Sequence, residues 1–145
     1  MQKEAKNLSS GLEDYLEVIY LSHINNKPLK GAELARKLNI SRASVSEALA
    51  KLVSKGLIKY CSYEAITITQ SGIDEATKVY TKHYTLEHFF KEVLGIDSRE
   101  ASENACEIEH IVSQNILDEM QDFTKFCQKH PEILKLYKKE KSKKW

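Results

Sequence analysis

The chain has little of what defines several large classes of protein. Among its 145 residues there are only five glycines, two prolines and three cysteines. No apolar run approaches the roughly 18 residues that a membrane-spanning helix needs. The opening segment MQKEAKNLSS lacks the apolar core of a signal peptide. Three scattered cysteines do not make a disulfide framework, which fits a reducing compartment. We therefore expect a cytoplasmic globular protein with no membrane contact.

The net charge of +1 conceals an uneven distribution along the chain. Residues 1–70 carry ten basic and seven acidic side chains, residues 71–130 carry six and twelve, and residues 131–145 carry six and two. A basic first part suits contact with phosphates, whereas an acidic middle offers carboxylates. The length allows one ordinary domain, or a small DNA-binding domain with a dimerisation module.

Hydrophobic periodicity in the first half predicts a helix-turn-helix followed by a hairpin. Apolar residues at helical spacing predict three helices, over residues 11–25, 31–38 and 42–55. Two short extended runs follow, over residues 57–60 and 65–69. Three helices and a two-stranded hairpin in this order are typical of a winged helix.

The second half is predicted to be entirely helical. A long helix is expected from about Ser71 to Leu94. A helix capped by Asp97 or Ser98 should end near Val112, one capped by Ser113 should run to about Cys127, and a short one begins at Pro131. The fold class is therefore mainly α, with a winged-helix DNA-binding domain over residues 1–70. Residues 71–145 form a helical metal-binding and dimerisation domain in this interpretation.

The third helix has the composition of a recognition helix, which places its first residues against base edges in the major groove. Small side chains at its start allow close approach to DNA, and Arg42 is suited to guanine or phosphate. Candidate DNA-binding residues are Ser41, Arg42, Ala43, Ser44, Ser46, Glu47 and Lys51. The alternative is a helical hairpin with a solvated polar face, which Glu47 mildly favours because carboxylates repel phosphates.

Three groups of metal-ligating side chains also stand at helical spacing. They are Asp14 with Glu17, His83 with Glu87, and Cys106 with Glu109 and His110. Carboxylates and imidazoles suit Mn(II), Fe(II), Co(II) or Zn(II), and a thiolate disfavours Mg(II) and Ca(II). Each residue taken singly is better explained as an ordinary surface or core residue. Spacing alone leaves a metal site and these simpler explanations equally balanced.

The chain resembles the iron- and manganese-dependent repressors typified by the diphtheria toxin repressor and the manganese transport regulator. The resemblance covers roughly residues 8–115. It lies in Leu12–Tyr20 (LEDYLEVIY), Ser41–Ser46 (SRASVS), Lys55–Ile58 (KGLI), Lys82-His83 and Ala105–Ser113 (ACEIEHIVS). It implies a homodimer that binds double-stranded operator DNA when a metal joins the first helix to the dimerisation helices. The chain resembles the short members that lack an SH3-like domain.

The resemblance implies a hybrid ligand set. Asp14 and Glu17 match the manganese type, Cys106 matches the iron type, and three ligands are common to both: His83, Glu109 and His110. Glu87 matches an ancillary site of the iron type, but Ser102 stands where that site has histidine. Glu103 or Glu107 is a possible substitute there.

The resemblance therefore implies a transcriptional repressor controlled by Fe(II) or Mn(II), with iron slightly favoured, and a role in metal uptake. Zn(II) or Co(II) is expected to bind in vitro. No organic cofactor is expected. Two alternatives stay open: a winged-helix regulator that senses a non-metal ligand, and a metal-dependent enzyme. The second is disfavoured because the chain has no repeated Glu-x-x-His pair and no Gly-rich loop.

Overall fold

The computed structural model describes residues 8–143, in two compact units, Met1–Tyr80 and Thr81–Trp145. Within these residues the elements are α1 Ser10–Ile24, α2 Gly31–Leu38, α3 Arg42–Ser54, β1 Ile58–Lys59, β2 Thr67–Ile68, α4 Gln70–Glu92, α5 Ser98–Ile108, α6 Gln114–Lys129 and α7 Pro131–Ser142. The predicted fold class, a winged helix followed by helices alone, is confirmed. The predicted division at residue 70 coincides with the start of α4, whereas the two compact units divide ten residues later, within that helix.

In the first unit, local capping sets the limits of the three helices. The Ser9 hydroxyl accepts a hydrogen bond from Leu12 N at 3.3 Å at the start of α1. Asn39, in the left-handed conformation with φ 53°, ends α2 and makes the turn of the helix-turn-helix. Ser41 then caps α3 by accepting from Ser44 N at 3.1 Å. The polar residues that punctuate the sequence therefore perform the caps that the sequence predicts.

The end of α3 is a Schellman motif that leads directly into the wing. Gly56 has φ +71°, its N–H donates to Val53 O at 2.9 Å, and Leu57 N–H donates to Leu52 O at 3.1 Å. Leu52 and Leu57 are both fully buried. The motif thus turns the chain while it keeps two leucines in the core.

The wing is shorter than predicted. β1 and β2 pair antiparallel, with Ile58 opposite Ile68 and Lys59 opposite Thr67. The expected strands began earlier and ended later, but Ile66 N–H donates to Leu29 O at 2.8 Å instead of continuing the ladder. The loop before α2 therefore takes the hydrogen bond that a longer hairpin would have used.

One apolar core holds the winged helix together. It is formed by side chains from α1, α2, α3, both strands, the start of α4 and the connecting segments: Leu12, Leu16, Ile19, Leu29, Leu34, Ala35, Val45, Ala48, Leu49, Leu52, Leu57, Ile58, Ile68 and Ala76. The apolar stripe predicted on α3 lies wholly in this core. Burial of that stripe leaves the opposite face of α3 to solvent.

The second unit is helical throughout its described part and has a smaller core. Leu86 of α4, Ala105 of α5 and Leu117 of α6 are buried together, and Phe90 and Met120 pack against them. Asp97 caps α5 and Ser113 caps α6, as the sequence predicts. The lysine-rich tail continues as helix α7, in which no residue is buried. None of the helices within residues 8–143 is long and apolar enough to span a membrane; the opening residues 1–7 lie outside the described part.

Candidate metal centre and DNA interface

The imidazole of His83 joins two helices of the second unit. Its Nδ1 lies 2.8 Å from Glu109 Oε2, at the end of α5, and its Nε2 lies 3.0 Å from Glu87 Oε2, one turn further along α4. The His83 side chain is only 12% exposed. A neutral imidazole has one N–H, so it can donate to only one of the two carboxylates at a time.

Glu109 is the only fully buried acidic residue among residues 8–143. One of its oxygens bonds His83, and the other, Oε1, has no hydrogen-bond partner within the described residues. The Nε2 of His110 lies 3.7 Å from Oε1, beyond hydrogen-bond distance. A buried carboxylate oxygen without a donor is costly unless a cation compensates it. This orphaned oxygen fits a site built for a metal ion.

Cys106 lies beside the same imidazole. Its Sγ is 3.7 Å from His83 Nδ1, and the side chain is exposed at the last turn of α5. His83, Cys106, Glu109 and His110 thus bring nitrogen, sulfur and oxygen donors together within the second unit. This donor set suits a late first-row divalent cation better than Mg(II) or Ca(II).

The end of α5 differs from the prediction, which had the helix continue to about Val112. The helix ends at Ile108, and Glu109 is its C-cap with φ −55° and ψ −28°. Because these angles are still in the right-handed helical region, Cys106 and Glu109 keep nearly helical spacing. Ending the helix here leaves Glu109 and His110 in the turn before α6.

The residues proposed for an ancillary site have other partners. Glu87 uses Oε2 for His83, and its Oε1 lies 4.0 Å from Lys91 Nζ. Glu103 forms an exposed ion pair with Arg99, with 3.0 Å between Oε1 and Nε. In this geometry Glu87 is a hydrogen-bond acceptor that orients the imidazole ring of His83.

Asp14 and Glu17 belong to the first unit. They stand one turn apart on α1, and both are half-buried. Their neighbours Leu12, Leu16 and Ile19 are in the winged-helix core. The two carboxylates are therefore carried by a helix that the core holds rigidly within the DNA-binding unit.

The candidate DNA-binding residues all lie on the solvent face of α3. Ser41, Arg42, Ala43, Ser44, Ser46, Glu47 and Lys51 are exposed. The Ser41 hydroxyl donates to Ser44 Oγ at 2.8 Å while it caps the helix. Lys51 Nζ forms a 3.1 Å ion pair with Glu47. The carboxylate of Glu47 therefore offsets part of the positive charge that Lys51 would present to DNA phosphates.

The placement of His83 between Glu87 and Glu109 is an arrangement that the sequence did not reveal. The i, i+4 spacing of His83 and Glu87 was visible as a local signal. Nothing local indicated that Glu109 would meet the other nitrogen of His83, because 26 positions separate them.

Comparison with known proteins gives matches along nearly the whole chain. Residues 7–66 match the family model "iron dependent repressor, N-terminal DNA binding domain", and residues 69–136 match "iron dependent repressor, metal binding and dimerisation domain". An HTH-type transcriptional regulator of Methanocaldococcus jannaschii is 44% identical over 117 residues, which are 80% of this chain and 94% of that protein.

Two further matches are, by name, a transcriptional regulator and a manganese-dependent transcriptional repressor. The HTH-type transcriptional regulator MntR of Lysinibacillus sphaericus is 28% identical over 124 residues, covering 86% of this chain and 88% of its own length. A solved manganese-dependent transcriptional repressor, in complex with manganese, superposes with a TM-score of 0.73 at 28% identity. That match covers 79% of this chain and 53% of the solved one, so the present chain spans about half the length of that relative.

Proposed function

We propose that this chain, which belongs to the family of iron-dependent repressors, represses transcription by binding operator DNA as a homodimer when Fe(II) or Mn(II) occupies its metal centre. Its relatives are transcriptional regulators and not enzymes, which agrees with the expectation from sequence. The observation that carries the proposal is the buried, unpartnered Oε1 of Glu109 beside His110, with His83 on the other oxygen.

The proposed ligands come from both halves of the chain. His83, Cys106, Glu109 and His110 supply the donors of the second unit, and Asp14 and Glu17 supply those of α1. Support for the first four is their convergence around one imidazole and one buried carboxylate. Support for Asp14 and Glu17 is their match to the manganese-type pattern and their half-buried position on α1.

A bound divalent cation would supply the positive charge that the buried carboxylate of Glu109 needs. Glu87 holds the His83 ring through Nε2, which leaves Nδ1 directed at Glu109 and Cys106. Metal binding by Asp14 and Glu17 would attach α1 to the metal centre. The apolar face of α1 is part of the winged-helix core. Linkage of this kind is worth about 1–3 kcal/mol, or roughly a 5–150-fold change in DNA affinity.

The two types of ligand favour different metals. The thiolate of Cys106 favours Fe(II) over the harder Mn(II), whereas the carboxylates of Asp14 and Glu17 favour Mn(II). We favour iron slightly, because sulfur is the more discriminating donor. Zn(II) and Co(II) would bind in vitro by the general order of affinities. Control of metal-uptake genes is proposed from the family resemblance.

The DNA-binding step is assigned to the exposed face of α3. Ser44, Ser46 and Arg42 would read base edges, and Lys51 would contact a phosphate. Support comes from the exposure of all these residues together with the burial of Val45 and Leu49 on the opposite face.

The homodimer is assigned to apolar side chains that one copy leaves exposed in the second unit. They are Leu94, Ile111, Ile116, Phe123, Phe126 and Leu136. Leu86 and Leu117, which are also apolar, are buried within a single chain and so are not part of this surface. Contiguous exposed apolar patches mark interaction surfaces, and within this set the rings of Phe123 and Phe126 stack with 6.4 Å between their centroids. The match to a dimerisation domain supports a second copy as the partner.

Sedimentation at micromolar concentration tests the dimer. Phe126→Glu should give the mass of one chain, because a carboxylate would be buried at the contact. Gln121→Glu, a matched charge on the same exposed helix, should leave the mass of two chains. A wild-type mass of one chain would contradict the homodimer.

The test of the whole proposal is a fluorescence-anisotropy titration of anaerobic protein against the DNA upstream of its own gene. It compares Fe(II), Mn(II) and chelator. We expect either metal to tighten binding at least tenfold over chelator. Equal binding in all three conditions would instead support the winged-helix regulator that senses a non-metal ligand.

A further inference from the structure

A pocket at the end of α1 contains none of the candidate DNA-binding residues and none of the candidate metal ligands. It lies within the first unit, where the last turns of α1, the loop that leads to α2, and β2 meet, and its volume is about 300 Å³. Ile66 N–H donates to Leu29 O at 2.8 Å and so joins two of its walls. The pocket therefore belongs to the packing of the winged helix, and the proposed function does not use it.

The floor of this pocket is apolar. Ile19, Leu29 and Ile68 are buried members of the winged-helix core, and Pro28 and Ile66 also line the pocket. A mostly apolar lining with a few polar groups is typical of small-molecule sites. At roughly 30 Å³ for each water molecule, the volume corresponds to a ligand of about ten non-hydrogen atoms.

Ser22 is a polar side chain buried at the pocket. It is only 7% exposed, yet its hydroxyl forms no hydrogen bond with any residue between positions 8 and 143. A serine or threonine inside a helix commonly bonds the carbonyl four residues earlier, as Thr77 does with Ile73 O at 2.7 Å. The unbonded hydroxyl of Ser22 is therefore a donor available to a group in the pocket.

The other polar side chains of the pocket are also hydrogen-bond donors. They belong to His23, Asn26, Lys27 and Thr67, and no carboxylate is among the described residues that line the pocket. Within the part of the chain that the structure describes, none of these four side chains has a hydrogen-bond or ion-pair partner. Because Lys27 adds a full positive charge that no neighbouring carboxylate offsets, the pocket favours an anion.

The carbonyl groups at the end of α1 do little to oppose an anion. The end of a helix carries a partial negative charge of roughly half an electron. Here the N–H groups of residues 25, 26 and 27 donate to three of the last four carbonyl oxygens of α1, at distances of 3.0 to 3.1 Å. The full charge of Lys27 therefore exceeds the opposing charge of the helix end.

We propose that this pocket binds a small organic carboxylate with an apolar body. Lys27 and the hydroxyl of Ser22 would hold the carboxylate, and the apolar body would cover the floor formed by Ile19, Leu29 and Ile68. An inorganic anion would use the cation and leave that floor in contact with water, so it fits the pocket less well. Such a site would give the winged helix a ligand of its own, separate from the metal centre.

An NMR titration of the full chain in the presence of chelator tests this proposal, with benzoate as the probe. Benzamide has the same shape without the charge, and inorganic phosphate has the charge without the apolar body. Benzoate should shift the amide signals of Ser22, Lys27 and Thr67 in a saturable way. Benzamide and phosphate should each bind about tenfold more weakly, because each lacks one of the two interactions.

Two variants and a control locate the site. Lys27→Gln should weaken benzoate binding about tenfold, because it removes the cation, and Ser22→Ala should weaken it severalfold, because it removes the donor. Lys30→Gln is the matched control, since Lys30 is an exposed lysine three positions away that does not line the pocket. Its affinity for benzoate should remain that of the wild type. Circular dichroism melting establishes that each variant is folded.

Three results would overturn the carboxylate site: no saturable shift with benzoate, equal binding of benzamide, or an equal loss of affinity in Lys30→Gln. The titration contains neither metal nor DNA, so any of these results would leave the proposed repressor standing. Failure of metal to tighten DNA binding would, conversely, leave the carboxylate site standing.

Discussion

His83 Nδ1 lies 2.8 Å from Glu109 Oε2, although 26 positions of chain separate the two residues. This contact joins the middle of α4 to the end of α5 and brings an imidazole to a carboxylate that is fully buried. Both atoms are of the kind that bind a divalent cation. If either atom binds a metal, their mutual hydrogen bond is replaced. Metal binding would therefore act directly on a contact between α4 and the end of α5.

Glu109→Gln should abolish the stabilisation of the protein by metal and leave the fold intact. The amide has the shape of the carboxylate and can still bond His83, but it carries no charge to attract a cation. For the wild type, binding to the native state should raise the melting temperature when Mn(II) or anaerobic Fe(II) replaces chelator. Glu109→Gln should melt at the same temperature in both conditions.

Glu119→Gln controls for the loss of one negative charge. Glu119 is exposed on α6, so its variant should show the wild-type response to metal. A full metal-induced shift in Glu109→Gln would remove Glu109 from the ligand set.

Cys106→Ala should weaken metal-dependent DNA binding, and the Fe(II) response should suffer more than the Mn(II) response. The thiolate is the soft donor of the cluster, and its loss leaves oxygen and nitrogen ligands that suit the harder ion. Anisotropy titrations with each ion measure the effect. The fold and the mass of the assembly should be unchanged, because the Cys106 side chain is exposed.

Cys61→Ala is the control for thiol loss, since Cys61 is likewise exposed but lies in the wing. It should keep the wild-type preference between the two metals. An unaltered metal response in Cys106→Ala would show that this ligand assignment is wrong.

Glu47→Gln should strengthen DNA binding in a sequence-independent way. The substitution frees Lys51 from a 3.1 Å ion pair and removes a carboxylate that faces phosphates. Because both partners are largely exposed, the gain in affinity should be modest, about fivefold at most. It should diminish as salt is raised.

The pair of half-buried Glu75 with exposed Lys78, at 3.3 Å on α4, is the control. Glu75→Gln removes the same charge from a similar pair away from α3 and should give a smaller gain. Equal gains in the two variants would indicate a net-charge effect and no specific role for Lys51.

Gly72→Ala should destabilise the winged helix. A Cβ at this position would lie 2.0 Å from the backbone oxygen of Leu57 and 2.7 Å from Ile68 Cγ1. The start of α4 would have to move off the wing, at a cost of about 1–3 kcal/mol in the free energy of unfolding. Urea denaturation followed by circular dichroism measures this cost.

Gly11→Ala is the corresponding control, because nothing lies within 4 Å of a Cβ added there. Since Gly11 is in α1, alanine should leave stability unchanged or raise it by up to about 1 kcal/mol. Equal stability of the two variants would mean that α4 is not packed against Leu57 as described.

Much of the fold was predictable because its signals are local. Ser9, Ser41, Asp97 and Ser113 cap helices where the sequence places them, and Gly56 ends α3 with the positive φ that glycine tolerates. The wrong predictions concern only the ends of elements. The wing strands are short because Ile66 bonds Leu29, and α5 ends early at Ile108.

The sequence by itself determined the order of the elements, the apolar face of each helix and the identity of the candidate ligands, because caps, periodicity and i, i+4 spacing act over a few residues. Only the tertiary structure decided that His83 meets Glu109 and that Glu109 is buried with one oxygen that has no hydrogen-bond partner among the described residues. These relationships depend on the packing of segments far apart in the chain. Packing is set by the collective fit of side chains in a core, and no short stretch of sequence contains that information.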